Sequence, residues 1–248
     1  MHKTNLIKMM REVAYRHGVG KVFTDFLALS AIAVSNAVDL RFQEERGKRY
    51  LEIISAYDRK EVDLFPKMLG ELTMALETEM TDVLGQVYME LELGSKRSGQ
   101  FFTPMHICQL MARIALNGVD EKIKEKGYIT VQEPTAGGGA MIIALAEEMK
   151  RLGYNYQKQM LVVATDIDIK AVHMCYLQLS FLGIPAVVYH GDSLSLKMFS
   201  EWCTPAYILD GWFWRLKTQN EKPPAIKMPA KKDIPRAIEQ GKLNLEAI

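Results

Sequence analysis

Glu133-Pro134-Thr135-Ala136-Gly137-Gly138-Gly139-Ala140 joins a β-branched run to an apolar helical run, and this junction restricts the fold more than any other part of the chain. Before it, Tyr128-Ile129-Thr130-Val131 has the β-branched and aromatic residues of a strand; after it, Met141 to Met149 is made of good helix formers. Glycines at a strand-to-helix corner let the backbone turn sharply and leave main-chain N–H groups open to a ligand that a Cβ would shield. The same triplet suits an ordinary tight βα loop, so residues downstream must decide.

Met160-Leu161-Val162-Val163-Ala164-Thr165 is continuously apolar, as buried parallel strands are, and ends in Asp166-Ile167-Asp168. An acid at that tip is placed to accept both hydroxyls of a ribose. Glu133 and Asp166 stand 33 positions apart, against about 20 in the dinucleotide fingerprint. Glu133 would also repel a pyrophosphate where a helix N-terminus attracts anions. A cationic or zwitterionic nucleoside such as S-adenosylmethionine (SAM) suits this corner better than a dinucleotide.

Further on, Ile169 to Leu182 reads as a helix closed by Gly183-Ile184-Pro185, and Ala186-Val187-Val188-Tyr189-His190 as a third strand running into Gly191-Asp192-Ser193-Leu194. Asp192 either accepts from the exocyclic amine of an adenine or forms an Asx turn. His173, with no second ligand at helical spacing, reads as a packed histidine; no metal site is expected.

At 248 residues, 48% hydrophobic and 25% charged, the chain can build a sizeable core. A net charge of +1 carries no polyanion signature, so contact with DNA must come from a local patch or a partner. Cys108, Cys175 and Cys203 lack metal spacing and read as reduced core thiols of a cytoplasmic protein. No apolar run reads as a bilayer span and the start lacks a signal-peptide apolar region, so no membrane partner is expected.

Residues 1–95 read as a helical region, with helices around Phe23 to Val34, Arg46 to Tyr57, Val62 to Met80 and Val83 to Leu93. Arg41, Arg46, Lys48, Arg49, Arg59 and Lys60 alternate with Glu44, Glu45, Glu52 and Glu61, which predicts a solvated mixed-charge face rather than a phosphate-binding one. Residues 96–215 hold the three strands. Gly99-Gln100-Phe101-Phe102-Thr103-Pro104 leads into a helix from Met105 to about Leu116, with Thr103 as N-cap and Pro104 as its first residue. Residues 216–248 read as a polar tail rich in lysine and proline, with a short helix from Pro235 to Lys242.

Gly99 to Pro104, Glu133 to Gly139, Thr165 to Asp168 and Gly191 to Leu194 together resemble, in order, the SAM-binding motifs of adenine-specific DNA methyltransferases. The resemblance spans about residues 20 to 215 and is closest to the modification subunits of type I restriction systems. It implies an α/β, Rossmann-like SAM-dependent methyltransferase fold preceded by a helical region. It also implies that Gln100, Phe101, Phe102, Thr103 and Pro104 close over the methionine end of SAM, and that Glu133, Thr135, Ala136, Gly137 and Gly139 form the floor beneath it. By the same resemblance Asp166 holds the ribose, Ile167 packs on the adenine ring, and Asp192, beside Ser193, takes the adenine amine.

In that family the fourth strand ends in an Asn-Pro-Pro-aromatic motif that receives a flipped adenine. Ala206-Tyr207-Ile208-Leu209 reads as that strand here, followed by Asp210-Gly211-Trp212-Phe213. Asp210 then stands for the asparagine and Phe213 for the stacking ring, without either proline. Neither further strands nor a target-recognition domain is visible, so the sheet is expected to be incomplete. Two functions follow: a SAM-dependent DNA adenine methyltransferase, or a catalytically deficient homologue with a regulatory, anti-restriction or partner-binding role, alone or as a homo-oligomer.

Overall fold

A computed structural model describes residues 1–93 and 103–218. The helical region begins with α1 (His2–His17), α2 (Val19–Asn36), a 3₁₀ turn at Leu40–Phe42, α3 (Gln43–Ile54) and α4 (Arg59–Val62), and continues with α5 (Leu64–Thr78) and α6 (Val83–Glu90). The chain then forms α7 (Met105–Ala115), α8 (Val119–Lys126), β1 (Ile129–Glu133), α9 (Ala140–Arg151), α10 (Tyr156–Gln159), β2 (Met160–Asp166), α11 (Ile169–Phe181) and β3 (Ala186–Asp192). It closes with β4 (Lys197–Cys203), α12 (Pro205–Leu209) and α13 (Trp212–Thr218).

The four strands lie in chain order, β1-β2-β3-β4. β1, β2 and β3 are parallel, and β4 is antiparallel to β3. In β2 every residue but Asp166 is buried. This run of Val, Leu and Ala is what a strand covered on both faces requires. Val162, Ala164 and Val188 share one core with Ile142 of α9, Cys175 of α11 and Phe23, Phe26, Met68 and Leu72 of the helical region. Leu161, Val163, Val187 and Tyr189 face the other way, against Tyr207 and Trp212. The helical region thus joins the same core as one face of the sheet, with α2 packed on α11.

Arg46 is one polar tie between these layers, beside the Arg41–Glu201 ion pair at 2.6 Å. The Arg46 guanidinium lies 4.0 Å over the Trp202 ring and donates to the Glu201 carbonyl at 2.5 Å and to Ser35 Oγ. A buried arginine that stacks and donates at once loses little of its hydrogen bonding on leaving water.

Several expectations are corrected. Ala206 to Leu209 is no strand: it belongs to α12, and the fourth strand is Lys197–Cys203. Buried Thr204 ends β4 by donating its hydroxyl to Ile184 O at 2.8 Å and accepting from Ala186 N at 2.9 Å, and Pro205 then opens the helix. Thr103 makes no side-chain cap, and Pro104 precedes α7 instead of beginning it. By length and a mean hydropathy of 1.2, α2 does reach the composition of a membrane span. Here Phe23, Phe26 and Leu27 are wholly buried, as in a core helix of a folded protein.

Candidate functional site

β1 and β2 end side by side, with Glu133 level with Ala164, and Asp166 is level with His190 of β3. Parallel order therefore brings Glu133, Asp166 and Asp192 to the same edge of the sheet. The corner after β1 bends at Gly137 (φ 53°) and Gly139 (φ 92°), left-handed conformations that favour glycine. Gly139 N donates to Ala136 O at 2.8 Å, and Gly139 directly precedes α9.

Asp166 fixes this corner. Its Oδ2 accepts from Gly137 N at 2.8 Å and its Oδ1 from Asp168 N at 2.9 Å. Each carboxylate oxygen offers two lone pairs, so each keeps one for a ligand hydroxyl. Asp192 is committed differently. Its Oδ1 accepts from Leu194 N (2.9 Å) and Ser195 N (3.3 Å) and its Oδ2 from Ser195 Oγ (2.7 Å), which is the Asx-turn alternative. The Ser195 hydroxyl above all holds the Asp192 carboxyl below the usual carboxylate range. Glu133 is half-buried and, among the described residues, accepts a long bond from Thr135 N, 3.4 Å.

Two hollows meet at the corner. One, about 490 Å³, is lined by Thr135, Gly137, Asp166, Ile167, Asp192 and Ser193, and also by Tyr88, Lys170, Ala171 and Met174. The other, about 230 Å³, is lined by Thr103, Cys108, Glu133, Ala136, Gly137 and Met141, and shares Thr135 and Gly137 with the first. Pro104 lies exposed at the entrance to α7. Gln100, Phe101 and Phe102 lie outside the described residues, as do residues 219–248 of the expected tail with its short helix, whereas residues 216–218 belong to α13.

Asp210 and Phe213 are elsewhere. Asp210 Oδ1 pairs with Lys158 Nζ at 2.6 Å, and Lys158 precedes the first residue of β2, Met160, which is level with the first residue of β1. That is the end of the strands remote from Glu133 and Asp166. Phe213 lines a separate apolar cavity of about 510 Å³ on the second face of the sheet, with Leu161, Val163 and Val187. Their expected catalytic place depended on a strand at Ala206 to Leu209, and the helix there turns Asp210 to the opposite edge.

His173 is buried edge-on against Trp202, ring centroids 4.7 Å apart, and burial pushes it down to about 3. It is a packed, neutral side chain. All three cysteines are free and buried, and no group of metal-ligating side chains occurs among the described residues.

Sequence reasoning missed Tyr88, Met174 and the acid Asp82. Thr81-Asp82 ahead of an apolar run is a helix-start signal. Nothing in the spacing told that this helix abuts the glycine corner 50 residues later.

Three parallel strands and an antiparallel fourth, with a glycine corner after the first and acids at the tips of the next two, make a mixed α/β fold consistent with that of a methyltransferase. Residues 79–219, more than half of the chain, match the N-6 DNA methylase family, and the protein belongs to that family. No curated protein matches the chain.

Proposed function

We propose that this chain binds SAM at the glycine corner, with the adenosyl part in the larger hollow and the methionine end in the smaller. The observation that carries the reading is the convergence of Glu133, Asp166 and Asp192 around Gly137, between two hollows that share that glycine. The donor set fits the cofactor. Asp166 keeps an acceptor position on each oxygen for the two ribose hydroxyls, and Ile167, 63% exposed, offers an apolar edge to an adenine. Glu133 supplies the negative charge that a sulfonium or an amino group prefers, and Asp192 with Ser193 closes the far side. Bound SAM would supply an electrophilic methyl group.

Transfer to an adenine amine in DNA also needs an acceptor for that amine and a ring on which the flipped base stacks. The pairing of Asp210 with Lys158 at the other end of the strands supports a methyltransferase-like protein that binds the cofactor and lacks its own target-base pocket. We place it near the type I modification subunits, as a cytoplasmic partner-binding or regulatory homologue whose contact with DNA runs through another polypeptide. Family membership favours a second reading, an active DNA adenine methyltransferase.

Irradiating the protein with methyl-labelled SAM and mapping the labelled peptides tests the site: label should enter residues 133–141 or 166–174. A transfer assay on mixed-sequence duplex DNA separates the two functions. The first expects incorporation at the no-enzyme level from the chain alone; robust incorporation would establish the second.

A further inference from the structure

Asp82 lies immediately ahead of α6, in the helical region, yet it is buried against the cofactor corner. Its Oδ1 accepts from Gly85 N and from Gln178 Nε2, both at 2.8 Å. Gln178, wholly buried on α11, also donates to Gly138 O at 2.7 Å and accepts from Leu84 N at 3.0 Å. Three segments distant in sequence therefore meet on one carboxamide: the start of α6, the C-terminal half of α11 and the glycine corner.

The Gly138–Gly139 peptide is thereby held at both ends. Its carbonyl oxygen is bonded to Gln178 and its N–H to Ala136 O. Rotation of this peptide plane would break both bonds, and its orientation sets the positive φ of Gly139 from which α9 starts. Packing leaves no slack either. A Cβ on Gly138 would stand 3.0 Å from Asp82 Oδ1, and one on Gly139 3.2 Å from Cys175 Sγ. Along the same helix Tyr88 reaches the wall of the larger hollow, so α6 meets the site twice.

We infer that Asp82, acting through Gln178, is a positioning residue that holds the glycine corner in its ligand-receiving shape. The helical region is thus part of the cofactor site rather than an appendage. The carboxyl needs no charge for this role, because the bonds from Gly85 and Gln178 both end on one oxygen. An asparagine can accept them equally well, and burial already disfavours the ionised form.

The inference rests on the SAM reading for its binding measurement alone. Hydrogen exchange on the full-length protein without ligand tests the brace itself. Asp82→Ala should raise exchange of the amides at 136–143 by about tenfold, the loss of one buried hydrogen bond, while β3 and α2 exchange as in the wild type. Asp82→Asn should restore near-wild-type protection.

Gly85→Ala provides a second approach, because its Cβ would run into the Asp82 carboxylate while improving helix propensity. It should loosen the corner without unfolding α6. SAM affinity should fall about tenfold in Asp82→Ala and Gly85→Ala, and within twofold of wild type in Asp82→Asn. Unchanged exchange at 136–143 in Gly85→Ala and in folded Asp82→Ala overturns the brace whatever the cofactor does. Raised exchange in a protein whose wild type takes up no SAM leaves the brace standing and removes the cofactor reading.

Discussion

Gly137 donates its amide to Asp166 Oδ2 at 2.8 Å, so the turn after β1 and the acid at the tip of β2 form one unit. The acid serves the fold before it serves any ligand. Asp166→Asn would turn an amide NH₂ towards one of the two main-chain donors it now satisfies. A loss of about 1–3 kcal/mol is expected from the unsatisfied donor, read as a lower midpoint in urea denaturation with an unchanged slope.

Asp210 and Lys158 form a surface pair remote from the glycine corner. Asp210→Ala should therefore leave SAM affinity within twofold of wild type and cost less than about 1 kcal/mol of stability. Calorimetry and thermal melting check both. A tenfold loss of affinity would return Asp210 to the site.

The parallel half of the sheet was legible because its strands are short apolar runs closed by acids, as Met160 to Asp166 illustrates. The glycine corner was legible because two of its residues need positive φ. Strand β4 was not. Its exposed Lys197 and Phe199 alternate with buried Met198, and the turn before it is built by the Asp192 carboxylate and by Leu196 at φ 58°. Nothing there resembles a glycine turn. Ala206 to Leu209, with β-branched Ile208 and aromatic Tyr207, had the composition of a strand over a length where helix and strand cannot be told apart by period. Contact between Asp82 and Gly138 was beyond reach, since no local pattern encodes which helix end meets which loop.

Arg46 links the helical region to β4 through Trp202 and the Glu201 carbonyl. Arg46→Ala removes the stacking and leaves a part-buried carbonyl without its charged donor, at a cost of about 2–4 kcal/mol. Limited proteolysis should then cut between the helical region and the sheet faster than in wild type. An unaltered digestion pattern and melting temperature would show that Arg46 does not tie the two together.

Burial against Trp202 holds His173 down at about 3, below the unfolded value of 6.5. With the folded value depressed, the unfolded chain binds the proton first, so stability is lost as pH falls from about 6.5 towards 3. Between pH 7 and pH 4 the expected loss from this one group is on the order of 3 kcal/mol. His173→Phe should lack that part of the slope; identical pH profiles for the two proteins would contradict the assignment.

Titration calorimetry of SAM into the wild-type protein and into Asp166→Ala decides whether the glycine corner is a cofactor site. One site per wild-type chain is expected, with at least about tenfold weaker binding in the variant, which loses the acceptor proposed for two ribose hydroxyls. No heat and no thermal shift of the wild type at excess SAM, or equal affinity in the two proteins, would contradict it.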